Sequence, residues 1–161
     1  MVHEVIHSLE ASKREGMLLK LDLFKAYDRV DWAFLDKVLH AFGFDQKVCK
    51  IISQLFTTPS LAILVNGAPI DFFKPLRGLW QGDPLSLNLF IIMAKCLGRL
   101  IEKSKQDGSL KGLKPSMKCT PFSHHQFVDD TIMGGEASIR EAKVMKDILN
   151  LYTRGSGQLI N

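Results

Sequence analysis

Phe127-Val128-Asp129-Asp130 sets two adjacent carboxylates behind an aromatic and a β-branched residue. Around them, Thr120 to Val128 and Thr131 to Met133 read as the arms of a hairpin, with the aspartates at its turn. Neighbouring side chains of a regular strand point to opposite faces, so both carboxylates can serve one site only where the backbone turns. Far upstream, Met17 to Phe24 reads as a buried strand that ends in acid at Asp22. If that strand lies beside the hairpin, three aspartates meet at one sheet edge and can hold a pair of divalent cations. A turn that favours aspartate explains the isolated pair equally well, so the rest of the chain has to decide.

The segments between these stretches carry clear local signals. Val2, Val5, Ile6 and Leu9 recur at helical spacing, with Gly16 placed to stop the helix. Asp31 caps a helix striped by Leu35, Val38, Leu39 and Phe42 and broken at Gly43; Asp45 caps the next, striped by Val48, Ile51, Ile52 and Leu55. Asn66-Gly67 between Leu61–Val65 and Ala68–Phe73 is a hairpin signal. Asp83-Pro84 opens a helix that is apolar on most sides from Leu85 to Ile101, and such a helix belongs in the domain centre. Ser138 and Glu141 form a capping box for a last helix ending at Gly155-Ser156-Gly157. The order of elements predicts an α+β domain over residues 1–161, one antiparallel sheet backed by helices.

With 161 residues and 46% hydrophobic content, the chain suits one domain with a sizeable core. No stretch approaches the uninterrupted run of about 18 apolar residues expected of a membrane span, so no membrane partner is expected. The start, Met1-Val2-His3-Glu4, lacks a secretory layout, which predicts an intracellular protein. Cys49, Cys96 and Cys119 are odd in number and lack metal-ligand spacing; free thiols without a disulfide partner are expected. The formal charge is only +4, but Lys103, Lys105, Lys111, Lys114 and Lys118 cluster, as on a polyanion-binding loop or a solvated one.

Three motifs in order then carry a resemblance. Leu21-Asp22-Leu23-Phe24-Lys25-Ala26-Tyr27-Asp28, Arg77-Gly78-Leu79-Trp80-Gln81-Gly82-Asp83-Pro84-Leu85-Ser86 and Phe127-Val128-Asp129-Asp130 resemble the motif series of reverse transcriptases. The likeness is strongest to plant LINE-type (non-LTR) retrotransposon polymerases, and it extends to Val65-Asn66-Gly67, Phe42-Gly43-Phe44 and the terminal Ser156-Gly157-Gln158-Leu159-Ile160-Asn161. It implies a reverse transcriptase palm with part of the fingers and no thumb. It also implies RNA-directed DNA synthesis on an RNA template and DNA primer from deoxynucleoside triphosphates.

On this resemblance Asp22, Asp129 and Asp130 hold two Mg²⁺ ions, with Mn²⁺ as an alternative. Phe24, Lys25, Ala26, Tyr27, Gln81 and Gly82 contact the incoming nucleotide, Tyr27 under its sugar and the amides of Phe24 to Ala26 toward its triphosphate. Gly78 and Gly82 let backbone approach the template–primer. Asp28, Asp31, Asp36, Asp45, Asp71 and Asp83 read as caps or surface residues, and His124 and His125 as strand residues.

Four positions depart from the family pattern: Trp80 stands where arginine is usual, Leu87 for proline, Val128 for alanine and Lys95 for glutamate. Trp80 removes a permanent cation beside the nucleotide, whereas Val128 is expected to be benign because valine suits a strand. With the larger fingers region and the thumb expected outside the chain, the isolated chain is expected to extend a primer weakly or not at all. A functional element would act in the nucleus. The competing reading is a degenerate transposon-derived fragment that serves only as a nucleic-acid-binding or interaction module.

Overall fold

A computed structural model describes residues 2–12, 15–114 and 120–161. The elements are helix α1 (Val2–Ser12), strand β1 (Met17–Leu21), helices α2 (Trp32–Ala41) and α3 (Gln46–Thr57), strands β2 (Leu64–Val65) and β3 (Ala68–Pro69), helix α4 (Pro84–Gln106), strands β4 (His124–Phe127) and β5 (Asp130–Gly135), and helix α5 (Ile139–Ser156). β1, β5 and β4 form an antiparallel sheet in that order, so the strand ending at Leu21 lies beside the hairpin as expected. Its register pairs Leu21 with Thr131 and Phe127 with Asp130.

The caps follow from local chemistry. Asp31 accepts from Phe34 N at 2.8 Å and Asp45 from Lys47 N at 2.8 Å, each satisfying an amide that the first helical turn leaves unpaired. Gly43 ends α2 with φ +87°, where its N–H reaches His40 O. At the start of α4, Asp83 accepts from Ser86 Oγ at 2.7 Å, Ser86 N at 3.0 Å and Leu85 N at 3.3 Å. The Ser86 hydroxyl, with the two amides, holds the Asp83 carboxyl below its ordinary value of 3.8.

A carboxyl lowered on folding contributes stability that is complete above its unfolded value and lost as pH falls through the folded one. Wild type should therefore lose stability relative to Asp83→Asn as pH falls from about 5 to 2. Parallel unfolding curves for the two proteins across that range would contradict the assignment.

Several expectations need correction. β1 stops at Leu21 rather than Phe24, because Leu23 bridges to Ile160 and residues 24–29 fold into a turn with Lys25 at φ +49°. The first hairpin shrinks to two paired residues per arm. Asn66 and Gly67 take the positive φ values that the tight turn demands, but Pro69 removes a ladder donor. A pairing of Leu61 with Phe73 follows one residue out of register, the mark of a bulge.

The second hairpin pairs only from His124, while Phe122 bridges Leu113 instead. On α3 the buried face is Cys49, Ile52 and Phe56, whereas Val48, Ile51 and Leu55 face outward. The Ser138 hydroxyl does accept from Glu141 N, but the Glu141 carboxylate does not close a capping box. It accepts from Lys111 N at 3.0 Å and Glu136 N at 2.8 Å, tying the basic loop to the end of β5.

Two apolar clusters share α4. Leu89, Phe90 and Met93 pack with Ala26, Val30, Leu39, Ile52, Phe56 and Leu79; one and two turns on, Leu97 and Ile101 pack with Leu21, Met133, Met145 and Tyr152. The central place foreseen for this helix is borne out. Contrary to the expectation that nothing approaches a membrane span, α4 is by length and composition long and apolar enough to cross a membrane, with a mean hydropathy of 1.5 over its best window. Here Leu89, Phe90, Met93, Leu97 and Ile101 are buried in the two clusters, while Leu87 stays exposed. Of the cysteines, Cys49 and Cys96 are free thiols, and Cys119 lies with Lys118 outside the described residues.

Candidate active site at the edge of the sheet

Asp22 follows the last paired residue of β1, and one more step of the register places it across from Asp130. Asp130 is the first residue of β5, and Asp129 occupies the two-residue turn before it. All three carboxylates are exposed. The turn foreseen at the aspartates is present, and it carries Val128 at φ +53° with its side chain packed on the core. Val128 thus stands in the turn and not in a strand as expected, and a β-branched residue in that region is strained.

Each carboxylate has its own surroundings. Lys20, on β1, lies 3.5 Å from Asp130, and both side chains are more than half exposed, so this pair contributes little. Asn161 Nδ2 donates to Asp22 Oδ2 at 2.9 Å, and Asn161 N donates to Asp22 O at 3.0 Å. The donor set suits a hard cation such as Mg²⁺, which takes one or two carboxylates and keeps several waters. The three carboxylates do not draw their oxygens into a closed cage. Among the described residues, the trio whose ligand atoms lie within 4.8 Å of one another is Asp36, His40 and Cys49.

The Tyr27 turn packs beside this edge. The Tyr27 ring stacks on Phe90 with centroids 4.8 Å apart and planes 16° apart. Partial burial and then the nearby charge of Asp129 raise its phenol above the ordinary value of 10.0. Core packing and a place near the acidic edge thus coincide in one residue. Phe24 and Lys25 are exposed, with the Lys25 ammonium 5.6 Å from the Phe24 ring centroid, while Ala26 is buried. Of the three amides expected to face a triphosphate, that of Phe24 is already donated to Leu159 O at 2.9 Å.

The central loop is hydrogen-bonded to the same turn. Leu79 N donates to Tyr27 O at 2.9 Å, Gly78 N to Val30 O at 2.9 Å, and Trp32 Nε1 to Gly78 O at 2.7 Å. Gly78 has φ +96°, and a Cβ there would sit 3.0 Å from Asp28 O. Its conformational freedom therefore serves contact within the fold, not an open approach to a ligand. Gly82, at φ +85°, has nothing within 4 Å of an added Cβ. Trp80 packs on the core, and with Gln81, Arg77, Asp28, Trp32 and Phe56 it lines a cavity of about 350 Å³. Asp22, Asp129 and Asp130 do not line that cavity.

Sequence reasoning missed the strap formed by residues 156–161. Besides the Asn161 contacts, Gln158 Nε2 donates to Ala26 O at 2.9 Å while the side chain is 2% exposed. Arg29 Nε donates to Gly157 O, and Asp31 N to Ser156 O. The only sequence signal was the terminal Ser156–Asn161 stretch, which local propensity cannot connect to residues more than a hundred positions away.

Residues 1–159 match the family model described as reverse transcriptase (RNA-dependent DNA polymerase). An uncharacterized mitochondrial protein of Arabidopsis thaliana is 41% identical over 71 residues, covering 44% of this chain and 58% of that protein. The Pol polyprotein from the type-1 retrotransposable element R2 of Popillia japonica is 28% identical over 116 residues, covering 72% of this chain and 18% of its own length. A 149 kDa transposon TX1 protein of Xenopus laevis is 24% identical across 100% of this chain and 12% of its own. The chain therefore spans under two thirds of each of these relatives. Among solved structures, the telomerase of Candida albicans with a telomeric RNA fragment superposes with a TM-score of 0.69 at 13% identity, covering 99% of this chain and 28% of that one.

Proposed function

The chain belongs to the reverse transcriptase (RNA-dependent DNA polymerase) family, as a reverse transcriptase domain of a retrotransposon, and on that premise we propose that it is the palm portion of a plant LINE-type (non-LTR) RNA-directed DNA polymerase. The observation that carries this is the placing of Asp22 opposite Asp130, with Asp129 in the turn, beside the Tyr27 turn and the loop bonded to it. In this reading Asp22, Asp129 and Asp130 hold two Mg²⁺ or Mn²⁺ ions. The chemistry supplied by the bound pair is activation of a primer 3′-hydroxyl and neutralisation of charge on the departing pyrophosphate. The exposed carboxylates fix where that charge sits. Tyr27, held flat against Phe90, gives the nucleotide sugar a rigid aromatic surface, and Gln81 with Gly82 borders the base.

The partners proposed are an RNA template, a DNA primer and deoxynucleoside triphosphates, with the nucleus as the place of action. The isolated chain extends a primer weakly. Trp80 turns its ring to the core where the family pattern has a cation, and no guanidinium at that position meets the nucleotide. A second reading, a degenerate fragment that only binds, is favoured by the same Trp80 and by strained Val128.

Primer extension on an RNA template with Mg²⁺ or Mn²⁺ separates the two. The expected result is trace extension that rises in Trp80→Arg and disappears in Asp129→Ala. Equal product from Asp129→Ala would sink the enzyme reading, and no gain in Trp80→Arg would count against the role given to that position.

A further inference from the structure

The hairpin of α2 and α3 gathers a second set of metal-type donors, apart from the acidic sheet edge in both sequence and chemistry. We propose that Asp36, His40 and Cys49 bind one zinc-class divalent cation that pins α2 to α3. One ligand atom from each residue lies within 4.8 Å of the others. Tetrahedral zinc sites hold their donors about 2.0–2.3 Å from the metal, so closing this set needs only small side-chain shifts. Asp36 and His40 stand one turn apart on α2, and Cys49 sits in the first turn of α3, facing them.

His40 touches Asp36 through one ring nitrogen. Its Nδ1 lies 2.9 Å from Asp36 O and 3.6 Å from Asp36 Oδ2. With the proton on Nδ1 and donated to that carbonyl, Nε2 keeps its lone pair. Metal-bound histidines are commonly held this way by a second hydrogen bond. The Cys49 side chain is buried, yet it reaches the wall of a groove that Asp36, His40, Gln46, Lys47, Lys50 and Ser53 also line.

An Asp–His pair one turn apart is an ordinary surface feature by itself. The facing sulfur is what makes a three-donor set, and it also selects the ion. Thiolate and imidazole suit Zn²⁺ and its neighbours and are poor ligands for Mg²⁺, which the sheet-edge carboxylates suit. Three protein donors leave the fourth position to water. Thiolate and carboxylate together balance the ion's two charges, which opposes the repulsion from Lys47 and Lys50 at the rim.

The test is titration of the reduced, metal-free full chain with Co²⁺, followed by Zn²⁺. The expected result is one Co²⁺ per chain with a sulfur-to-cobalt charge-transfer band that Zn²⁺ bleaches. The band should vanish in Cys49→Ser and persist in Cys96→Ser, while His40→Ala, a surface change that leaves the fold intact, weakens binding at least tenfold. Absence of the band at saturating Co²⁺, its survival in folded Cys49→Ser, or unchanged affinity in His40→Ala would overturn the proposal.

Discussion

Phe90→Ala is expected to lower the unfolding free energy by about 3–5 kcal/mol, the largest loss at any single position considered. Phe90 is 0% exposed and sits where α4 meets the Tyr27 turn, with Val30, Leu39, Leu89 and Met93 around it. Removing the ring forfeits its transfer free energy and leaves a cavity that rigid neighbours on three elements cannot fill. It also takes away the surface on which Tyr27 stacks. Phe90→Leu, which keeps most of the volume, should cost no more than about 1.5 kcal/mol. Denaturant unfolding of the two variants measures both. A loss below about 1 kcal/mol in Phe90→Ala would place the core elsewhere.

Glu141→Ala is expected to cost about 2–4 kcal/mol, because it strips the acceptor from two part-buried backbone hydrogen bonds at once. The carboxylate is 2% exposed, one oxygen taking Lys111 N and the other Glu136 N. Lys111 Nζ meanwhile pairs with Glu136 at 2.9 Å, so the backbone amides are what hold Glu141. Gly135 makes room for it: a Cβ there would come 2.5 Å from Glu141 Oε2. Glu141→Gln retains one carbonyl oxygen and should cost at least about 1 kcal/mol less than the alanine. Equal losses for the two variants, measured by the same unfolding experiment, would mean that volume rather than hydrogen bonding matters there.

What the sequence made legible was local or periodic. The caps at Asp31, Asp45 and Asp83 and the Asn66-Gly67 turn depend on neighbours a few residues away, and all four formed. The central position of α4 followed from apolar residues on most of its sides. The antiparallel sheet followed from the order of helix and strand signals, and its acidic edge from three motifs standing in one order.

Readings failed where distant partners decide. On α3 two faces are comparably apolar, and contact with α2 and Leu79 selects Cys49, Ile52 and Phe56 over Val48, Ile51 and Leu55. Glu141 had a local partner on paper, but its amide partner at Lys111 is thirty residues away. Val128 was judged as a strand residue although the two-residue turn gives it φ +53°. Asn161 and Gln158 reach Asp22 and Ala26 across most of the chain, a relation that no spacing rule encodes.

The proposed cation site joins Asp22, Asp129 and Asp130 at the edge of the sheet. Substoichiometric Mn²⁺ added to ¹⁵N-labelled protein broadens the amide signals nearest the bound ion, residue by residue. Broadening is expected at Asp22, Tyr27 and Val128 to Asp130, with at least tenfold more Mn²⁺ needed for the same effect in Asp129→Asn. Broadening confined to the neighbourhood of Asp36, His40 and Cys49, or an Asp129→Asn protein that responds as wild type does, would contradict it.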